Sequence, residues 1–136
     1  MSHLFRVTAR DHSAVILMTE LACRHGDTGY ASLQDIAEDM HISSGYLEEI
    51  AADLKKAKLI TGKQGPRGGY RLAKKPADIR LDDILTALDG PMEIVDCQKK
   101  GTACPVASKC QSKNIWKSVQ KNVQEVLRNT RLVDVM

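Results

Sequence analysis

Apolar residues recur along the chain at helical spacing, and the places where that spacing breaks mark out its elements. Residues 10–24 set Ala14, Val15, Leu17, Met18, Leu21 and Ala22 three and four positions apart, the 3.6-residue period that gives a helix one apolar face. Gly26 supplies a stop. Residues 32–40 open on Ser32 with Asp35 three positions later. That pairing marks a helix start, because it satisfies free N–H groups of the first turn. Leu33, Ile36, Ala37 and Met40 form the expected buried face of this second helix. After a break at His41–Ile42, Ser43 or Ser44 caps a third helix over residues 45–59, with Leu47, Ile50, Ala51, Leu54 and Ala57 or Lys58 turned inward.

The period then changes. Leu59-Ile60 and Tyr70-Arg71-Leu72 are short strand-like pieces around Gly65-Pro66-Arg67-Gly68-Gly69, a density of glycine and proline that demands a turn. The reading is a β-hairpin with Arg67 at its tip, closed off by Pro76. Two short helices joined by a tight turn and followed by such a hairpin make a winged helix, with the hairpin as wing. Residues 80–90 are a further helix ending at Gly90, and residues 112–129 a long amphipathic one through Ile115, Trp116, Val119, Val123, Val126 and Leu127. The fold class expected is mainly α with a small β-hairpin: a winged helix-turn-helix over residues 1–78, then a cysteine loop and dimerisation helix over 79–136. The last helix is expected to pack on its twin in a homodimer, as suits a reader of two symmetric half-sites.

Composition narrows the setting. With 136 residues and 43% hydrophobic content the chain can bury a core, and with only 4% aromatics that core must be aliphatic. No apolar run nears the ~20 residues of a membrane span, and the opening MSHLFRVTARDH has no apolar leader segment. A cytoplasmic location is expected, where thiols stay reduced.

Net charge is only +3, but it is segregated. Lys55, Lys56, Lys58, Lys63, Arg67, Arg71, Lys74 and Lys75 follow one another with no acid between them, while the stretch from Asp35 to Asp53 holds six acids and no Lys or Arg. A basic segment of this kind can follow a phosphate backbone, or simply be a solvated helix end and hairpin. If double-stranded DNA is the partner, the start of the third helix meets the major groove. Ser43, Ser44, Gly45 and Tyr46 offer hydroxyls and backbone N–H groups to phosphate, and Glu48 can accept from cytosine. Arg67 is placed to enter a minor groove, with Lys63 and Arg71 on phosphates.

Three cysteines, Cys97, Cys104 and Cys110, stand in a Cys-x6-Cys-x5-Cys loop. This is not the paired Cys-x2-Cys of most zinc ribbons. Loosely spaced thiolates suit an iron–sulfur cluster or a soft metal. A zinc site completed from elsewhere and three reduced thiols are the other readings. Lys99, Lys100 and Lys109 favour thiolate over thiol. Cys23, alone on the first helix, is expected to be a small buried hydrophobe.

Taken together, FRVTARDHSAVILM, ISSGYLEEIAADLKKAKLI, GPRGGYRL and the cysteine loop with its Trp-containing helix resemble the bacterial winged-helix regulators that hold iron–sulfur clusters, the IscR/NsrR-like group, over about residues 5–135. The resemblance implies that Cys97, Cys104 and Cys110 ligate a [2Fe–2S] or [4Fe–4S] cluster. It also implies a homodimer that binds double-stranded operator DNA, with cluster state altering affinity or choice of site. Two features depart from the pattern, the fourth ligand and the residue before the wing's Gly-Pro. Where the cluster-biogenesis regulators have a ligand histidine three residues after the last cysteine, this chain has Lys113. The position matching the carboxylate that the nitric-oxide sensors supply from the other subunit is His12, beside Asp11, so His12 is the fourth-ligand candidate. Gln64 replaces an arginine often found before the wing's Gly-Pro, leaving the minor groove to Arg67 or Lys63. No catalytic triad, phosphate loop or paired-carboxylate cleft is present, and no enzyme is expected. The alternatives are a repressor with structural zinc or reactive thiols, and a small iron–sulfur redox protein.

Overall fold

The computed structural model describes residues 7–24, 29–94, 104–106 and 108–136. Gly26 and Cys97 lie outside the described residues. The order of elements is α1 (Ala9–Arg24), α2 (Leu33–Met40), α3 (Ser44–Lys56), β1 (Ile60–Lys63), β2 (Gly69–Leu72), α4 (Leu81–Asp89) and α5 (Ser112–Asn129), with short 3₁₀ turns at Pro76–Asp78 and Leu132–Val135. This is the expected winged helix with a long C-terminal helix.

The core is aliphatic. Leu17, Met18 and Leu21 of α1 pack with Ile36 of α2, with Leu47, Ile50 and Leu54 of α3, and with Ile60, Ile79 and Ile84. Serines cap the two helices of the helix-turn-helix: Ser32 Oγ accepts from the Asp35 N–H at 3.3 Å, and Ser43 Oγ accepts from the Tyr46 N–H at 3.4 Å. Of the two serines read as the cap of α3, Ser43 is the one used.

The ends of these helices correct the sequence reading. α3 stops at Lys56, because Lys58 takes a left-handed φ of 63°. The Leu59 N–H then reaches back to the Leu54 carbonyl, and the Lys58 N–H to that of Lys55, a Schellman ending that normally uses glycine. Ala57 and Lys58, one or other of which was expected inward, are therefore both exposed, and Leu59 is the buried residue. α2 ends in the same way. His41 has φ 55°, and the Ile42 N–H bonds to the Ala37 carbonyl. That bend leaves Met40 at the surface.

β1 and β2 form an antiparallel hairpin in the register Ile60↔Leu72, Thr61↔Arg71, Gly62↔Tyr70 and Lys63↔Gly69. Both strands are longer than the sequence reading gave them. A third partner completes the sheet: Ala31 and Tyr70 exchange N–H···O bonds of 2.8 Å in both directions.

α5 packs on α4. Gln120 Oε1 accepts from the Ile94 N–H, and Arg128 pairs with Asp82. None of its residues is fully buried, and Ile115 (62% exposed) and Val126 (64%) face outward. The chain beyond α5 returns to α1 and to the residues that lead into α4. The Leu81 N–H bonds to the Thr130 carbonyl and the Leu132 N–H to that of Ile79, each at 2.8 Å. Leu132, 3% exposed, joins the core. Periodicity had assigned no role to this segment.

Two substitutions test these features by urea denaturation. Leu132→Ala should lower stability by about 2–5 kcal/mol, the range for truncating a buried leucine. Lys58→Gly should raise it by up to about 1 kcal/mol, because glycine relieves the left-handed backbone but adds freedom to the unfolded chain.

Candidate nucleic-acid interface and thiol site

The start of α3 is built to present backbone and small polar groups. Ser43, Ser44, Gly45 and Glu48 are exposed, while Tyr46 leans half-buried against the core. The first in-helix bond runs from the Leu47 N–H to the Ser43 carbonyl, and Ser43 Oγ takes the Tyr46 N–H. The N–H groups of Ser44 and Gly45, the next two of the first turn, have no place in the helical ladder and face outward, where an anion can accept them. At Gly45 an added Cβ would meet nothing closer than Ser43 Oγ at 3.8 Å. The fold itself thus does not require glycine on this exposed turn, and the bare backbone there leaves room for a close neighbour.

The wing follows the other end of α3 and is held against the segment ahead of α2 through the Ala31–Tyr70 pair. The Gly68 N–H bonds to the Gly65 carbonyl at 2.9 Å, closing a turn with Pro66 and Arg67 at its centre. Neither central residue has positive φ, as in a type I turn. Arg67 is exposed at the tip. Lys63 and Arg71 share one face of the hairpin, and both stand over the ring of Tyr30, at 5.7 Å and 4.8 Å from its centroid. The wing is positioned by Gly69, whose φ is 142° and where a Cβ would fall 2.2 Å from the Ala31 carbonyl oxygen. Only glycine lets β2 come close enough for the Ala31–Tyr70 pair. Ion pairs absorb part of the acidic stretch before the wing. Asp39 binds Arg24, and Asp53 binds Arg10, which also donates to the Leu88 carbonyl and to Asp89. Burial, followed by the facing Asp11, holds the Asp89 carboxyl above its usual range, against the pull of Arg10.

The thiol residues are divided. Cys104 and Cys110 are free and half-buried, and Cys97 lies outside the described residues. Cys110 sits just ahead of α5 with Sγ 3.0 Å from Ser112 Oγ. Its thiol is held below the ordinary value by that hydroxyl and then by the backbone of Lys113. His12 is exposed on the first turns of α1. Among the described residues no three His, Cys, Asp or Glu side chains converge, so Cys104, Cys110 and His12 are not gathered within one chain. Cys23 is exposed, against the sequence expectation. It occupies the outer face of α1 between the buried Ala22 and the ion-paired Arg24.

The sequence reading named Lys63 and Arg71 but missed Tyr30. Only the hairpin register and the Ala31 pairing bring that ring beneath them.

A family model described as "Iron-dependent Transcriptional regulator" matches residues 7–136. The chain belongs to the Rrf2 family. The protein rrf2 of Nitratidesulfovibrio vulgaris is 33% identical over 131 residues, which cover 96% of this chain and 87% of that relative. Among solved structures, T. potens IscR superposes with a TM-score of 0.76 at 34% identity, covering 96% of this chain and 85% of that one. CymR (YrzC), titled the global cysteine regulator of B. subtilis, gives a TM-score of 0.75 at 30% identity, covering 96% and 95%. The resemblance drawn from the cysteine loop and wing is thus borne out at the level of the family. As an Rrf2 member the protein is a DNA-binding transcriptional regulator, not an enzyme. No helix among the described residues is long and apolar enough to cross a membrane.

The close approach at Gly69 can be tested directly. Gly69→Ala should destabilise the protein by about 2 kcal/mol or more through its positive φ and the clash with Ala31. Amide exchange at Ala31 and Tyr70 should rise to the level of an unpaired hairpin.

Proposed function

We propose that this protein is a cytoplasmic, homodimeric regulator whose binding to double-stranded operator DNA is controlled by an iron–sulfur cluster, [2Fe–2S] or [4Fe–4S], held by Cys97, Cys104 and Cys110. His12 of the partner subunit is the proposed fourth ligand. One observation carries the reading. Cys110 lies two residues ahead of α5, with its Sγ 3.0 Å from Oγ of Ser112, the first residue of that helix, and the chain just beyond the far end of α5 is tied to Ile79 and Leu81. A change at the thiols therefore has a path to the DNA-binding head.

The donor set fits such a group. Free, half-buried thiols are soft ligands, and an exposed imidazole can complete the set from a second chain. When bound, a cluster supplies a centre sensitive to redox state and to small ligands. The remaining work belongs to the residues of the chain. The exposed apolar stripe of α5 buries itself against its twin and fixes the distance between two wings. Ser43, Ser44, Gly45 and Tyr46 dock the start of α3 on phosphates, with Glu48 at a base edge. Arg67 enters the minor groove, and Lys63 and Arg71 hold the backbone. Residues 1–78 act as the DNA-binding head, and residues 79–136 as the sensing and dimerising part.

The likeness to a protein titled a cysteine regulator favours a second reading, in which the same thiols act without a cluster. Iron and acid-labile sulfide measured per chain on anaerobically purified protein separate the two. Matched iron and sulfide, lost in Cys104→Ser and Cys110→Ser, are expected. Zinc or no metal would replace the cluster reading with the second one.

Two variants probe the parts. His12→Ala should bleach the visible spectrum faster in air, and an unchanged spectrum and lifetime would remove His12 from the ligand set. Arg67→Ala, with its thermal transition unchanged, should weaken binding to a duplex selected from a random pool by about tenfold or more. It should also lower the slope of log K against log salt by about 1. Unchanged affinity would remove Arg67 from the interface.

A further inference from the structure

Lys63 and Arg71 are long cations on the same face of a two-stranded ribbon, as the register Thr61↔Arg71 and Lys63↔Gly69 requires. Among the described residues no ion pair engages either of them. Both instead stand over one aromatic ring. The guanidinium carbon of Arg71 is 4.8 Å, and Lys63 Nζ 5.7 Å, from the centroid of Tyr30. Tyr30 is itself fixed, because it immediately precedes Ala31, which is bonded in both directions to Tyr70, and Ser32, which caps α2.

The choice of neighbour has electrostatic consequences. Two like charges on one face repel each other, and the negative face of an aromatic ring attracts both. A carboxylate would hold them more firmly but would cancel charge. A neutral ring holds them and leaves the charge available to an anion. It also removes rotamer freedom that the side chains would otherwise lose on binding. Because Tyr30 belongs to the segment that starts α2, the ring places the wing cations relative to the helix-turn-helix.

We infer that Tyr30 is a positioning residue of the DNA interface, a neutral platform that pre-orders Lys63 and Arg71 for the phosphate backbone without neutralising them. The inference rests on the DNA-binding reading of the wing.

The test uses the full-length protein and a duplex selected from a random pool by the wild type, with affinity measured over a range of KCl. Tyr30→Leu should weaken binding about fivefold to twentyfold, the span of a partly desolvated cation–π contact. The salt slope should be unchanged, because every charge remains. Tyr30→Phe keeps the ring and should bind within about twofold of wild type, since the platform needs only the π face. Replacing Lys63 and Arg71 together by Gln should reduce the slope by about 2. Adding Tyr30→Leu to that pair should weaken binding no further, a non-additivity that general loosening of the fold would not produce.

Wild-type affinity in a folded Tyr30→Leu would overturn the role. So would a loss that adds in full to the double Gln variant, or a Tyr30→Phe as weak as Tyr30→Leu. Should Tyr30→Leu fail to fold, the side-chain protons of Arg71 in the free wild type decide the matter by NMR. An upfield ring-current shift supports the platform, and its absence overturns it. A wild type that selects no duplex would overturn the DNA reading itself, an outcome separate from a binding wild type beside an unaffected Tyr30→Leu.

Discussion

The hydrogen bonds exchanged by Ala31 and Tyr70 hold the wing against the start of the helix-turn-helix. A two-stranded ribbon is marginal by itself in water, and among the described residues the wing has no other sheet to lean on. Pairing with Ala31 gives β2 a second neighbour and takes that neighbour from the residue just ahead of the α2 cap. The position of the wing and the start of the helix-turn-helix are thereby fixed by one contact. Gly69 is its condition, since any side chain there would meet the Ala31 carbonyl. From that point the constraints run on in order. Ser32 sets the first turn of α2, the left-handed His41 sets its end, and Ser43 sets the first turn of α3. In the proposed complex, a reading helix and a wing that meet one duplex together need this kind of rigid spacing.

Much of this was legible in the sequence, because local rules decided it. The inward residues of α1, the serine caps and the glycine-rich turn follow from period and turn chemistry. The places that were not legible share a cause. His41 and Lys58 take a conformation that glycine usually announces, so neither helix end carried its signal, and Met40 and one of Ala57 and Lys58 were expected on the wrong side of the surface. Cys23 was expected inside on a general preference of its type, whereas the face of α1 it occupies is turned to solvent. Tyr30 meets Lys63 and Arg71 only through the register of the hairpin, which no local pattern contains. The thiol site is the most remote from local rules. Spacing reveals the kind of donor, while the closure of the site depends on chain segments far apart and, in the proposed assembly, on a second subunit.

Among the described α-helices α5 differs from the others in having no buried residue. Its inner side meets α4 and Ile94, and its apolar residues Ile115 and Val126 stay open. Such a helix is held to its own chain by half-buried contacts with α4 and by polar contacts such as Ile94–Gln120 and Arg128–Asp82 rather than by a core of its own. Cys110 lies at one end of it and the return to Ile79 and Leu81 at the other.

That return has a consequence for how the protein comes into being. Leu132 is a core residue of the head, lodged beside Val15 and Ile84, yet it lies beyond the whole of α5 in the chain. A polypeptide leaves the ribosome from its N-terminus onward and folds as its contacts become available. The core around Val15 and Ile84 in a nascent chain is therefore completed only once residues beyond α5 have been synthesised. On the proposed division of roles, the reader of DNA and the part that would govern it are completed together.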